Sequence, residues 1–258
     1  MGKESLFATR RTGSTLNSHG IKMSVYAPHK PRFLVLELAA VIACLILTKL
    51  AFDPIAWRFA GPMSMACTIT FIALLARMRS ETWSDFGLRG LPGMKSKLWF
   101  LPQVLLGVIA IMGSGAVVTF GGDALGLWDV NATPAGVEDR FAGVTGNLPR
   151  YLMWMGLGIV SGGFGEEIFF RGYLMRRVEG ILPASVLRPV LMVVLPALMF
   201  GAVHFYYQGL RGMLSIAAIG FAMGTLYLLY KRNLWPLIIA HAIVDSIGFT
   251  ALYLGVEA

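Results

Sequence analysis

Residues 164–172 read FGEEIFFRG, so Glu166 and Glu167 are adjacent and Arg171 follows four places after the second. Residues four apart on a helix share a face, which lets Glu167 and Arg171 pair while Glu166, about 100° further round the axis, points elsewhere. One carboxylate is then held by the arginine and the other is left free to act. Further along, FGAVH (200–204) closes on His204, and HAIVD (241–245) carries His241 and Asp245, again four apart. Side chains of these types can relay protons or ions through a membrane. They can also offer the imidazole and carboxylate ligands that zinc accepts.

What sets these residues apart is their surroundings. The stretch before the first cluster, YLMWMGLGIVSGG (151–163), carries no charge, and Ile168, Phe169 and Phe170 lie between the glutamates and the arginine. A charged side chain at the centre of a membrane helix costs about 2.5–3.5 kcal/mol on insertion scales. Several together require mutual partners or a water-filled cavity. Plainer roles exist for each: a solvated ion pair for Glu167 and Arg171, a hydrogen bond between helices for His204, a structural pair for His241 and Asp245. Glu37 and Lys49, in the first apolar run, are read as structural, with Glu37 facing water or pairing locally and Lys49 snorkelling toward the interface. The three remaining clusters all fall in one half of the chain, and that favours a shared function. Glycines at 162, 163, 165 and 172 keep the first motif's helix slim, admitting a close neighbour or leaving room for water and substrate.

The elements that position these residues are membrane spans. Of 258 residues, 56% are apolar and 14% charged, against about 25% charged in soluble domains. Runs long enough for helices of about 20 residues fall at roughly 33–51, 60–76, 98–120, 149–170, 188–205, 212–230 and 235–254. The fold class expected is an all-α transmembrane bundle of about seven spans. Its parts are a basic tail (1–32), three N-terminal helices (33–120), an outer loop (121–148) and a four-helix core (149–254).

The net charge of +8 would suit nucleic acid, but its distribution excludes that. With the N-terminus inside, the tail cations, Arg77, Arg79, Arg89, Lys95, Lys97, Arg171, Arg176, Arg177, Arg188, Lys231 and Arg232 are cytoplasmic. Lys49, Arg58, Arg140, Arg150 and Arg211 fall outside. Alternate loops carry nearly all the positive charge, a topology signal rather than a nucleic-acid footprint. The tail lacks an adjoining apolar segment with a cleavage site, and Arg10-Arg11 has no nearby hydrophobic stretch, so neither a secretory nor a twin-arginine signal is expected. Cys44 and Cys67 lie in apolar runs and read as small hydrophobes.

EEIFFR (166–171) resembles an EExxxR motif, FGAVH an FxxxH motif and HAIVD an HxxxN/D motif, in the order found in the CPBP family of CAAX prenyl endopeptidases and bacteriocin-processing and immunity (Abi) proteins. WSDFGLRG (83–90) also looks like the family's segment between helices, so the resemblance covers about residues 83–250. It implies an intramembrane peptidase with a cavity open toward the cytoplasm. Glu166 would activate a water as general base, with His204 positioning or deprotonating it. Glu167 with Arg171 would orient the site, and His241 with Asp245 would stabilise the oxyanion.

Asp245 stands where many relatives have Asn. An ionised Asp cannot donate to an oxyanion, so it would instead hold His241 as the imidazolium that does. The implied partners are a lipid bilayer and a peptide or protein substrate, lipidated or bearing a leader, with a prokaryotic plasma membrane as the expected location. No cofactor is expected. A zinc-dependent metalloprotease remains the alternative chemistry, although no HExxH is present. An ion relay and a non-catalytic immunity or scaffold protein are the alternatives from other classes.

One tension stands in this topology. A fifth span entering at Arg188 puts His204 near the outer end, whereas His241 lies about 9 Å from the inner end at the helical rise per residue. Either the fifth helix begins inside the membrane, or the FYYQGLRG segment (205–212) stops short of the outer surface.

Overall fold

The computed structural model describes residues 31–256 together with two short tail segments, Ser14–Leu16 and Lys22–Ser24. Those segments pair as an antiparallel hairpin, β1 and β2, with Thr15 opposite Met23. The rest of the tail, including His19, His29 and the Arg10-Arg11 pair, lies outside the described residues.

The body is all helical: α1 (Pro31–Ala56), α2 (Ala60–Met78), α3 (Gly93–Ala124), α4 (Ala135–Phe141), α5 (Leu148–Leu157), α6 (Met175–Ile181), α7 (Arg188–Ala202), α8 (Phe205–Leu229) and α9 (Trp235–Leu254). The stretches Pro31–Met78, Gly93–Ala124, Phe205–Leu229 and Trp235–Leu254 are long and apolar enough to cross a membrane. Large apolar side chains stand outward along them, among them Leu36, Leu47, Leu105, Ile109, Val117 and Phe221. That face suits lipid rather than water.

Between α5 and α6 the helix does not stop. It widens into two π-helical segments, Gly158–Glu166 and Ile168–Leu174, before tightening again at Met175. The result is one helical rod from Leu148 to Ile181 through the centre of the bundle. Ile168, Phe169, Phe170 and Tyr173 on it are almost completely buried. π-Helical turns are rare and concentrate at functional sites, and this stretch contains the EExxxR residues.

The rod can be central because α9 comes very close to it. A β-carbon at Gly162 would sit 2.4 Å from Asp245 Oδ2, and one at Gly163 would sit 3.0 Å from Ala242 Cβ. A side chain at Gly162 would displace the Asp245 carboxylate, and one at Gly163 would press on the Ala242 backbone of the HxxxD helix.

The tension over His204 is resolved at the α7–α8 junction. Helix α7 does start at Arg188, but its 15 residues reach only about 22 Å, short of the roughly 30 Å hydrocarbon layer. The chain turns through Val203 and His204 directly into α8, whose first turn is broken again at Gly209 (φ 63°). Helix α4 packs over this turn, since a β-carbon on Gly136 would meet the Tyr207 carbonyl at 2.5 Å. His204 is therefore covered by the 125–147 connection instead of lying at the surface.

Glu37 does not face water. It is buried and bonded to Tyr173 Oη (3.0 Å), to Arg177 Nε (2.8 Å) and to Arg79. Arg177 also grips Glu81 through two nitrogens, at 2.9 and 2.5 Å. The network joins α1, α2 and the rod at their tail-side ends. Lys49 pairs with Asp53 and lies 3.8 Å from the centre of the Tyr206 ring, so it is anchored within the bundle. Cys44 and Cys67 are free thiols, both half-buried.

Candidate active site

The π-helical rod, the α7–α8 turn and α9 bring all three motif clusters to one place. Glu167 is fully buried, and its Oε1 accepts from Arg171 Nη1 at 2.8 Å and from His241 Nδ1 at 2.9 Å. Arg171, itself buried, lies 4.7 Å over the Phe200 ring. This cation is held by a carboxylate on one side and an aromatic face on the other. Phe200, the first residue of the FxxxH motif, presents its ring edge-on to both His204 (5.0 Å between centroids) and His241 (6.4 Å).

These contacts define the imidazoles. A carboxylate or carbonyl oxygen only accepts, so His241 Nδ1 carries the proton donated to Glu167. Likewise His204 Nδ1 donates to the Phe200 carbonyl at 2.8 Å. Each ring thus keeps Nε2 available. For neutral His204, Nε2 is a lone pair that can accept from a water; for His241 it faces Asp245 Oδ1 at 3.7 Å, beyond hydrogen-bond distance. Glu167, not Asp245, is the group that orients His241.

Glu166 has a different environment from its neighbour. Among the described residues no side chain forms a hydrogen bond or ion pair with its carboxylate, and it lines a cavity of about 1100 Å³. His204, His241 and Asp245 line the same cavity. Arg171 and Glu167 do not; they stand behind the wall. The sequence missed several other residues of this wall: Arg140, Tyr206, Tyr207 and Lys49. In sequence, Arg140 was one of the few cations of the outer loops, and the two tyrosines belonged to the FYYQGLRG segment between two spans. No spacing rule connects a loop residue to a helix turn 66 positions later.

The mouth of the cavity is formed by the far end of α1 (Lys49, Asp53), the connection around Thr133 to Thr145, and the last residues of the bundle, Leu252, Gly255 and Val256. No lining residue comes from the connections 79–92, 182–187 or 230–234, which lie at the opposite end with the start of α1. The cavity thus lies in the half of the bundle away from the start of α1. Among the described residues no three His, Cys, Asp or Glu side chains are arranged to hold a metal ion.

Comparisons with curated proteins and with solved structures give no match. A family model described as Type II CAAX prenyl endopeptidase Rce1-like matches residues 148–247. That stretch contains Glu166, Glu167, Arg171, His204, His241 and Asp245. By this motif-bearing segment, and over that part of its length, the chain is similar to the Rce1-like CAAX prenyl endopeptidases.

Proposed function

We propose that the protein is an intramembrane endopeptidase in which Glu166 activates the attacking water. The observation that carries this is the contrast between two adjacent carboxylates, Glu167 engaged by Arg171 and His241, and Glu166 without a protein partner on the cavity wall. Water between Glu166 and the His204 Nε2 lone pair gives its proton to Glu166 as its oxygen attacks the scissile carbonyl carbon. His241, in its imidazolium form, donates from Nε2 to the oxyanion, and Glu167 fixes the ring for that task. Glu166 then passes the proton to the departing amine, and the C–N bond breaks. Every step uses side chains of this chain alone.

The substrate is a peptide or protein reaching the cavity from the membrane surface, carrying a lipid or a leader segment. The cations Arg77, Arg89, Lys95, Lys97, Arg188 and Lys231 lie at the end of the bundle away from the mouth. By the positive-inside bias that end is cytoplasmic and the mouth faces outward, in place of the cytoplasmic opening that the family resemblance implies.

The test is cleavage of a panel of acylated and leader-type peptides by protein reconstituted in liposomes, comparing wild type with Glu166→Gln. Turnover by wild type that is abolished in the variant is expected. Equal turnover by both overturns the role of Glu166. Metal analysis of the active preparation, with chelator treatment, addresses the zinc alternative. A stoichiometric ion whose removal stops turnover would replace this mechanism with a metal-assisted one.

A further inference from the structure

Among the described residues three arginines are buried, and two of them have carboxylate partners: Arg171 with Glu167, and Arg177 with Glu37 and Glu81. The third, Arg140 in α4, has none among the described residues, though it is only 7% exposed. Its Nη1 donates to Tyr206 Oη, and its Nε is buried with no hydrogen-bond partner. The guanidinium carbon lies 4.6 Å from the centre of the Tyr207 ring and 5.7 to 5.9 Å from the rings of Trp154, Phe141 and Tyr206. This aromatic enclosure positions the cation without neutralising it. Glu138, on the same helix, lines the cavity but makes no ion pair with it.

A buried charge left uncompensated is costly, and this one lines the same cavity as Glu166, His204 and His241. We infer that Arg140 is a specificity residue that binds a carboxylate of the substrate peptide, either its C-terminal carboxylate or the side chain of an Asp or Glu near the cleaved bond. This rests on the peptidase reading above. The planar fork of a guanidinium matches a carboxylate through two parallel hydrogen bonds. The incoming anion supplies the counter-charge that the fold withholds. At about 1100 Å³ the cavity has room for several peptide residues.

The experiment compares three fluorescent N-palmitoyl hexapeptides of one sequence: a C-terminal acid, the C-terminal amide, and the amide with one Gln replaced by Glu. The readout is the ratio of kcat/KM for each carboxylate-bearing peptide to that of the plain amide. Wild type is expected to prefer one carboxylate peptide by at least tenfold, mainly through KM, and which peptide wins identifies the source of the carboxylate. In Arg140→Gln the ratio should fall to near one, with partial recovery in Arg140→Lys. A merely structural role would lower all three rates together and leave the ratio unchanged.

A wild-type ratio near one, or a ratio that survives Arg140→Gln, overturns the inference. If wild type cleaves none of the peptides, equilibrium binding to Glu166→Gln by fluorescence polarisation decides the matter separately from catalysis. Tighter binding of a carboxylate peptide that is lost on adding Arg140→Gln supports the role of Arg140, and equal binding of all three overturns it.

Discussion

Glu167 and His241 lie 74 positions apart in the chain and 2.9 Å apart in space, joined by a hydrogen bond from the imidazole Nδ1 to the same oxygen that Arg171 holds. Glu167 is thus a buried junction between two motifs, whereas Glu166 faces the cavity. Substituting the two should have different consequences. Removing one partner of a buried ion pair costs about 3–5 kcal/mol, so Glu167→Ala is expected to lower both the melting temperature in detergent and the cleavage rate. Glu166→Ala should lower the rate by about 10²-fold or more while leaving the melting temperature close to wild type. Equal destabilisation by the two would place Glu166 in the structural network as well.

Asp245 stands 3.7 Å from His241 Nε2, too far to orient the ring, which Glu167 already fixes. Asp245→Asn is therefore expected to retain substantial activity, while His241→Ala loses about 10²-fold or more through the missing oxyanion donor. Parallel cleavage assays check this. Equal losses in the two variants would move Asp245 into the catalytic machinery.

Glu138 on the cavity wall and Gly90 in the α2–α3 connection lie at opposite ends of the bundle. In a background with Cys44 and Cys67 replaced by Ala, Glu138→Cys should react with a membrane-impermeant maleimide in intact cells, and Gly90→Cys only after permeabilisation. The reverse pattern would mean that the cavity opens to the cytoplasm and that the tail is outside.

At the tail-side edge, Glu179 receives two hydrogen bonds from Arg232, at 2.6 and 2.7 Å. They hold its carboxyl below the ordinary value of 4.5, against the upward pull of partial burial. A carboxylate depressed in the folded state contributes stability that is fully present above about 4.5 and is lost as pH falls through its folded value. The melting temperature should therefore decline as pH drops below about 4.5, and Arg232→Gln should remove part of that decline. Because the pair is partly exposed, added salt should weaken the effect. An identical pH profile in the variant would assign the acid sensitivity to other groups.

The six motif residues stood out in the sequence because a spacing of four is a local property of helices, and because charge inside an apolar run is conspicuous. The same locality explains what was not readable. Arg140 meets Tyr206 across 66 positions, and Glu37 meets Arg177 across 140; no periodicity encodes such pairings. Glu37 read as solvated or locally paired because it sits near a span end, where solvent is the default partner. The helices were legible as apolar runs, and four stretches of them are long and apolar enough to cross a membrane. The fifth run was expected at 188–205 and α7 ends at Ala202, but the sequence left two ways out of the His204 tension open, because α4 covering the turn is a contact that no local pattern encodes. The π-helical widening has no compositional mark beyond its glycines.

The Glu37, Arg177 and Glu81 network has a consequence for how the molecule can be divided. The rod bearing Glu166 and Glu167 carries near its end an arginine, Arg177, whose two acidic partners come from α1 and from the α2–α3 connection. Cutting the chain ahead of residue 148 would strand that cation in an apolar interior. The motif-bearing half is therefore expected not to stand alone, and a chain lacking its first two helices should fail to assemble even with every motif side chain intact.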